Sequence, residues 1–186
     1  MRTSSTGSAG FTLVELMVVA VLVAAFATMI VPRLMGATSS AQLRESAQRL
    51  LVSARTGRDF AATRRCACRL VVDATEGRYA LSYQDDPQHQ PGQFVPLPTG
   101  VGRGESLPPG LRFARVWVEP RGRRDGLAAQ DGAITFDPTG QADAAIVQIA
   151  DSRRTVSLMI SPASGYARLV SQAVDVLPND RRDLDE

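Results

Sequence analysis

The chain has 186 residues, 44% of them hydrophobic, which suits one compact domain plus one apolar membrane segment. A formal net charge of +2 and a sequence pI of about 8.8 are too mild to dictate a polyanionic partner. All 21 basic residues are Arg, which a GC-rich coding bias explains better than a phosphate-gripping surface does.

Residues 1–10 are rich in Ser, Thr and Gly, carry Arg2, and have no capacity to form a core. From Phe11 the chain is apolar to Val31, with Glu15 as the only charge. As a helix rising about 1.5 Å per residue, 11–31 just spans the hydrocarbon core of a bilayer. Positive charge ahead of the span places the leader in the cytoplasm and the rest of the chain outside it. A carboxylate at the centre of a membrane helix costs about 2.5–3.5 kcal/mol, less toward the interface, so Glu15 calls for a partner. A cut after Gly10 would supply one. Phe11 would gain an α-amino group with a pKa of roughly 7.7–8.0, at a helix start already positive from unpaired N–H groups. Pairing with the amine of a neighbouring chain, rather than its own, makes Glu15 an assembly device.

A polar leader ending in Gly10, then Phe11-Thr12-Leu13-Val14-Glu15-Leu16 and a long apolar run, resembles the class III signal of type IV pilins and type II secretion pseudopilins. The resemblance implies that a prepilin peptidase cuts between Gly10 and Phe11 and methylates the Phe11 amine. It further implies that Glu15 is needed for polymerisation and that the helix kinks at Pro32. Two rival readings are a secretory signal cut at Ala25-Phe26-Ala27 and a plain signal-anchor helix. Against the first stand Glu15 inside the apolar run, the continuation of that run to Val31, and the otherwise unexplained Gly10.

Pro32 removes one helical N–H and Gly36 loosens the next turn, which predicts a kink and not an end. The helical pattern resumes at once: Leu43, Ala47, Leu50, Leu51, Ala54 and Ala61 share a stripe, with Arg44, Gln48, Arg55 and Asp59 away from it. This half should bury its stripe against a globular domain and stop near Thr63. Arg44, Arg49, Arg55, Arg58, Arg64, Arg65 and Arg69 make the region basic, as a solvated face, a surface near lipid headgroups, or a docking site for acidic subunits. Cys66 and Cys68 are too close along a strand for an unstrained bridge and too few for structural zinc. They read as small core side chains, with an intermolecular bridge left open.

From Cys68 the period changes to two. Strands are predicted at 69–73 and 78–83 around a 74–77 turn closed by Gly77. Residues 85–98 form a loop with a short strand at 94–97, and 100–110 another loop. The strand over 111–119 shifts its inward set from Leu111 and Phe113 to Val116 and Val118, which predicts a bulge near Ala114. That turns Trp117 outward, as a contact residue or a covered edge. After a polar loop at 120–131, strands follow at 133–136, 144–150, 155–160 and 166–170, and then an acidic tail. The fold class is α+β: a pilin-like long N-terminal helix, membrane-spanning then amphipathic, packed on an antiparallel sheet or small β-sandwich. The expected organisation is leader 1–10, helix 11–64 with its transmembrane half at 11–31, β domain 65–174, and flexible tail 175–186.

Ile134-Thr135-Phe136-Asp137-Pro138-Thr139-Gly140, then a strand, a polar turn and a Gly-led last strand, resembles the GspH/FimT group of minor pseudopilins and pilins. In that group an F-x-P-x-G turn separates two late strands. Asp137 and Asp143 flank this turn, but calcium needs about six to eight oxygen ligands and turn chemistry alone explains the residues, so no metal is expected. No catalytic residues and no cofactor are expected: the single histidine, His89, lies in a Pro-rich loop, and the chain has no Walker A loop, dinucleotide fingerprint or C-x-x-C. Arg121, Arg123 and Arg124 form the best anion patch. The resemblance implies a structural subunit, not an enzyme, anchored once in the inner membrane with a periplasmic domain. Its partners would be prepilin peptidase, sister pseudopilins or pilins, the inner-membrane assembly platform, and lipid along 11–31. It would be assembled into a type II secretion pseudopilus or a type IV pilus. The alternative is a FimT-like minor pilin that binds DNA for uptake, against which the acidic tail counts.

Overall fold

The computed structural model describes residues 12–90, 92–98, 100, 104–121 and 132–175; the side chains of 27–39 lie outside that description. Among the described residues, one helix, α1 (Leu13–Arg64), precedes nine strands: β1 (Cys68–Asp73), β2 (Arg78–Gln84), β3 (Phe94–Pro96), β4 (Glu105–Ser106), β5 (Arg112–Glu119), β6 (Ala133–Phe136), β7 (Ala144–Ala150), β8 (Thr155–Ile160) and β9 (Ala167–Val170). The chain divides into two compact units, Met1–Thr38 and Ser39–Glu186. Within the first, α1 begins at Leu13 behind Thr12. Neither Pro32 nor Gly36 ends the helix. It stops one residue beyond the expected Thr63, where Arg65 turns left-handed at φ 54°. Arg64 in the last turn complements the partial negative charge of the helix end.

The second unit holds two antiparallel sheets, which resolves the choice between one sheet and a sandwich. The first runs β3-β2-β1-β6, with β4 also on β2; the second runs β5-β7-β8-β9. The β1–β2 hairpin turns at Gly77, φ 63°, and Asp73 Oδ1 accepts the Thr75 and Glu76 N–H groups at 2.9 Å each. The loop expected over 100–110 contains β4, whose register is Arg78↔Ser106 and Tyr79↔Glu105. Two residues are too few to show a period, and the Tyr79 hydroxyl fixes them by donating to Glu105 Oε2 at 2.8 Å. The predicted bulge on β5 lies between Phe113 and Arg115. Tyr166, expected to open the last strand, stays outside β9.

The predicted helical stripe is the centre of the core. Leu43, Ala47, Leu50, Leu51, Ala54 and Ala61 are all buried and cluster with Leu70, Leu81, Ile134 and Phe136 of the first sheet and Val147, Ile149, Leu158 and Ile160 of the second. Arg44, Gln48, Arg55 and Asp59 are exposed. Gly57, absent from the predicted stripe, is also buried, and a Cβ there would stand 2.9 Å from Leu81 Cδ2, so this glycine sets how closely the helix approaches the sheet. Cys66 and Cys68 are buried free thiols, as read from the sequence. Burial pushes the Cys66 thiol up and the Cys68 thiol up to about 12, the opposite of a reactive cysteine.

Candidate assembly surface

Thr12 caps α1. Its Oγ1 accepts the Glu15 N–H at 3.3 Å and its carbonyl accepts the Leu16 N–H at 3.2 Å. Thr12 and Glu15 stand at the spacing of a capping box, with the acid in the first turn where unpaired N–H groups favour negative charge. Sequence reading treated Glu15 only as an acid in need of a cation and missed this local role; the threonine three residues ahead was the available signal.

Behind the cap, every large apolar side chain from Leu13 to Phe26 is exposed, from 49% at Val19 to 76% at Leu13. Because consecutive residues are exposed, the apolar surface runs round the whole helix. Such a helix is stable only in apolar surroundings, lipid or other helices. Each large side chain gains about 1.5–3 kcal/mol when fully buried. Among the described residues, no helix is long and apolar enough to cross a membrane. The run continues in sequence through Val31, beyond the last described side chain of this stretch, Phe26. Gly10 and Phe11, the proposed processing site, lie outside the described residues, as does the Pro32 side chain.

The second half of the same helix is fixed by contacts instead. Arg58 Nε donates to Ser164 O at 2.8 Å, and its guanidinium lies 4.1 Å from the centroid of the Tyr166 ring. The same guanidinium would meet a Cβ on Gly140 at 3.6 Å, while a Cβ on Gly165 would run into Gly140 O. Gly165, φ 64°, therefore lets the 162–165 turn close on the 137–140 turn, while the Gly in the F-x-P-x-G turn, Gly140, is called for by its left-handed φ of 83°.

The polar residues singled out from the sequence have mainly structural partners. Asp137 Oδ1 accepts the Thr139 and Gln141 N–H groups at 2.8 and 3.1 Å, and buried Asp143 accepts the Thr135 and Arg121 N–H groups at 2.8 and 3.0 Å. The Arg121 side chain faces Asp137 at 3.4 Å, so this member of the anion patch is paired within the domain; Arg123 and Arg124 lie outside the described residues. His89 is exposed, with Nδ1 3.0 Å from Asp86 Oδ2. Trp117 is half-buried on β5 and registers with Ile146. Asp175, where the tail was expected to begin, pairs with Arg115 at 2.7 Å.

No protein-family model and no curated protein matches this sequence. Solved structures do match it in shape. One structure of the minor pseudopilin EpsH from the type II secretion system of Vibrio cholerae is 12% identical with a TM-score of 0.53, covering 70% of this chain and 97% of that one. A second EpsH structure is 11% identical with a TM-score of 0.54, covering 73% of this chain and 98% of that one. The likeness is one of fold: the chain has a GspH-like pilin fold.

Proposed function

We propose that this chain is a minor pseudopilin or minor pilin, a structural subunit that passes from the inner membrane into a filament. Prepilin peptidase cuts after Gly10 and methylates Phe11. The helix leaves lipid for a bundle of sister helices, and Glu15 meets the Phe11 amine of a neighbour. Close approach of Ala- and Val-rich helices then replaces lipid contact by van der Waals packing. The type II secretion pseudopilus is the favoured destination, since the similar solved structures belong to that system; a type IV pilus uses the same physics.

The observation that carries this reading is the contrast along α1: apolar on all sides and uncovered to Phe26, then buried along one stripe from Leu43 in a pilin-like domain. A helix with two such halves suits a subunit whose first half must change surroundings. N-terminal sequencing of the mature protein tests the processing step. A start at a methylated Phe11 is expected, and a start at Met1 or Thr28 defeats it. For the assembly step, Glu15→Gln should leave the protein in the membrane at wild-type level while removing it from the sheared filament fraction. Equal incorporation of wild type and variant overturns the role given to Glu15.

A further inference from the structure

Helix residues 40–48, the β7–β8 turn and residues 171–173 bound an open groove of about 980 Å³. Leu43 and Val156 supply its apolar lining, and Arg44, Arg153 and Arg154 supply exposed positive charge. None of these three arginines forms an ion pair among the described residues. Glu45, the lining carboxylate, is held by Arg49 at 2.7 Å. Asp151, beneath the turn, accepts the backbone N–H groups of Arg153 and Arg154 at 2.6 and 2.7 Å, and both guanidinia, exposed on the groove, also attract its carboxylate from a longer range.

The last described residues of the chain are held on the second sheet. Ser157 Oγ donates to Gln172 O at 2.6 Å, Gln148 Nε2 to Val174 O at 2.8 Å, and Arg115 to Asp175 Oδ1 at 2.7 Å. Residues 172–175 are thereby strapped across β8, β7 and β5 in turn. The groove keeps Gln48 and Gln172 along its sides, amides able to pair with a peptide backbone.

We propose that the groove receives an extended acidic segment of a neighbouring filament subunit, an inference that rests on the subunit reading above. Carboxylates of the segment meet Arg44, Arg153 and Arg154, whose planar guanidinia favour two-point pairing, and small apolar side chains cover Leu43 and Val156. The three arginines are exposed, so the contact weakens as salt rises.

The test places p-benzoylphenylalanine at Gln48 of the full-length protein in its own membranes, with photolysis and mass mapping of the cross-linked peptide. The expected product is an adduct to a net-acidic peptide of another subunit, reduced roughly tenfold in an Arg153→Glu/Arg154→Glu variant. Both side chains are exposed, and a thermal scan verifies that the variant still melts cooperatively, so that a lost adduct is not a lost fold. Adducts to lipid, to residues 176–186 of the same chain or to a neutral or basic peptide overturn the proposal, as does no adduct. Absence of the wild-type chain from sheared filaments overturns the subunit reading instead, so the two failures are told apart.

Discussion

Gly57 is a mid-helix glycine that would cost about 1 kcal/mol against alanine if helix propensity decided the matter. Contact decides it instead. A methyl group there would lie 2.9 Å from Leu81 Cδ2 and 3.3 Å from two ring atoms of Phe136, and both side chains are fully buried with little room to yield. Overpacking of this kind costs about 1–3 kcal/mol, more than the helix gains. Gly57→Ala should therefore melt a few degrees below wild type, and a higher melting temperature would refute the tight contact. Arg65 is the reverse case, a non-glycine at φ 54° just past the helix end. Arg65→Gly relieves the left-handed strain and should add about 0.5–1 kcal/mol, read as roughly 2–4 °C in a melt. At Asp151, the backbone N–H groups of Arg153 and then Arg154 hold the carboxyl below its usual range. A depressed folded-state value means the stabilisation is complete above the unfolded pKa near about 3.9 and is lost as pH falls through the folded value. Asp151→Asn should thus show a flatter fall in melting temperature below about pH 4 than wild type does.

At the scale of elements, α1 invites a paired experiment. Leu50 is fully buried in the domain core, so Leu50→Ala should cost about 2–5 kcal/mol of domain stability. Leu16 is 65% exposed, so Leu16→Ala should leave the domain melt unchanged and act only on membrane retention or filament packing. The division of α1 into these halves was legible in the sequence because helical periodicity begins where all-round apolarity stops. The β5 bulge was legible for a similar reason: the inward set changes parity between Phe113 and Val116. What could not be read was the pairing of distant strands. β1 takes β6 and β5 takes β7, and no local pattern reports such a choice. The same limit hid the Arg58 contact, which joins a helix to turns far along the chain. Glu15 was legible as an anomaly of charge, whereas its cap depends on where the helix starts, and the apolar run does not mark whether Thr12 lies inside or ahead of the first turn.

At the scale of the molecule, the buried core among the described residues lies within the unit Ser39–Glu186 and begins at Leu43. A fragment starting at Ser39 should fold by itself, giving a cooperative melt within a few degrees of the full chain's domain transition. A non-cooperative melt would show that the first unit contributes to the core. The Arg58 contact with Ser164 bears on a different matter, the order of events during synthesis. Its two residues are 106 positions apart, so at about 5–20 residues per second the arginine waits roughly 5–20 s for its acceptor to be made. Throughout that interval the nascent helix shows an uncovered oily stripe and an Arg58 guanidinium whose one partner is the neighbouring Asp59, at 3.1 Å in the folded protein. Chaperone capture during translation should therefore be strongest on chains stalled between these two positions, and should fade once the last turn emerges.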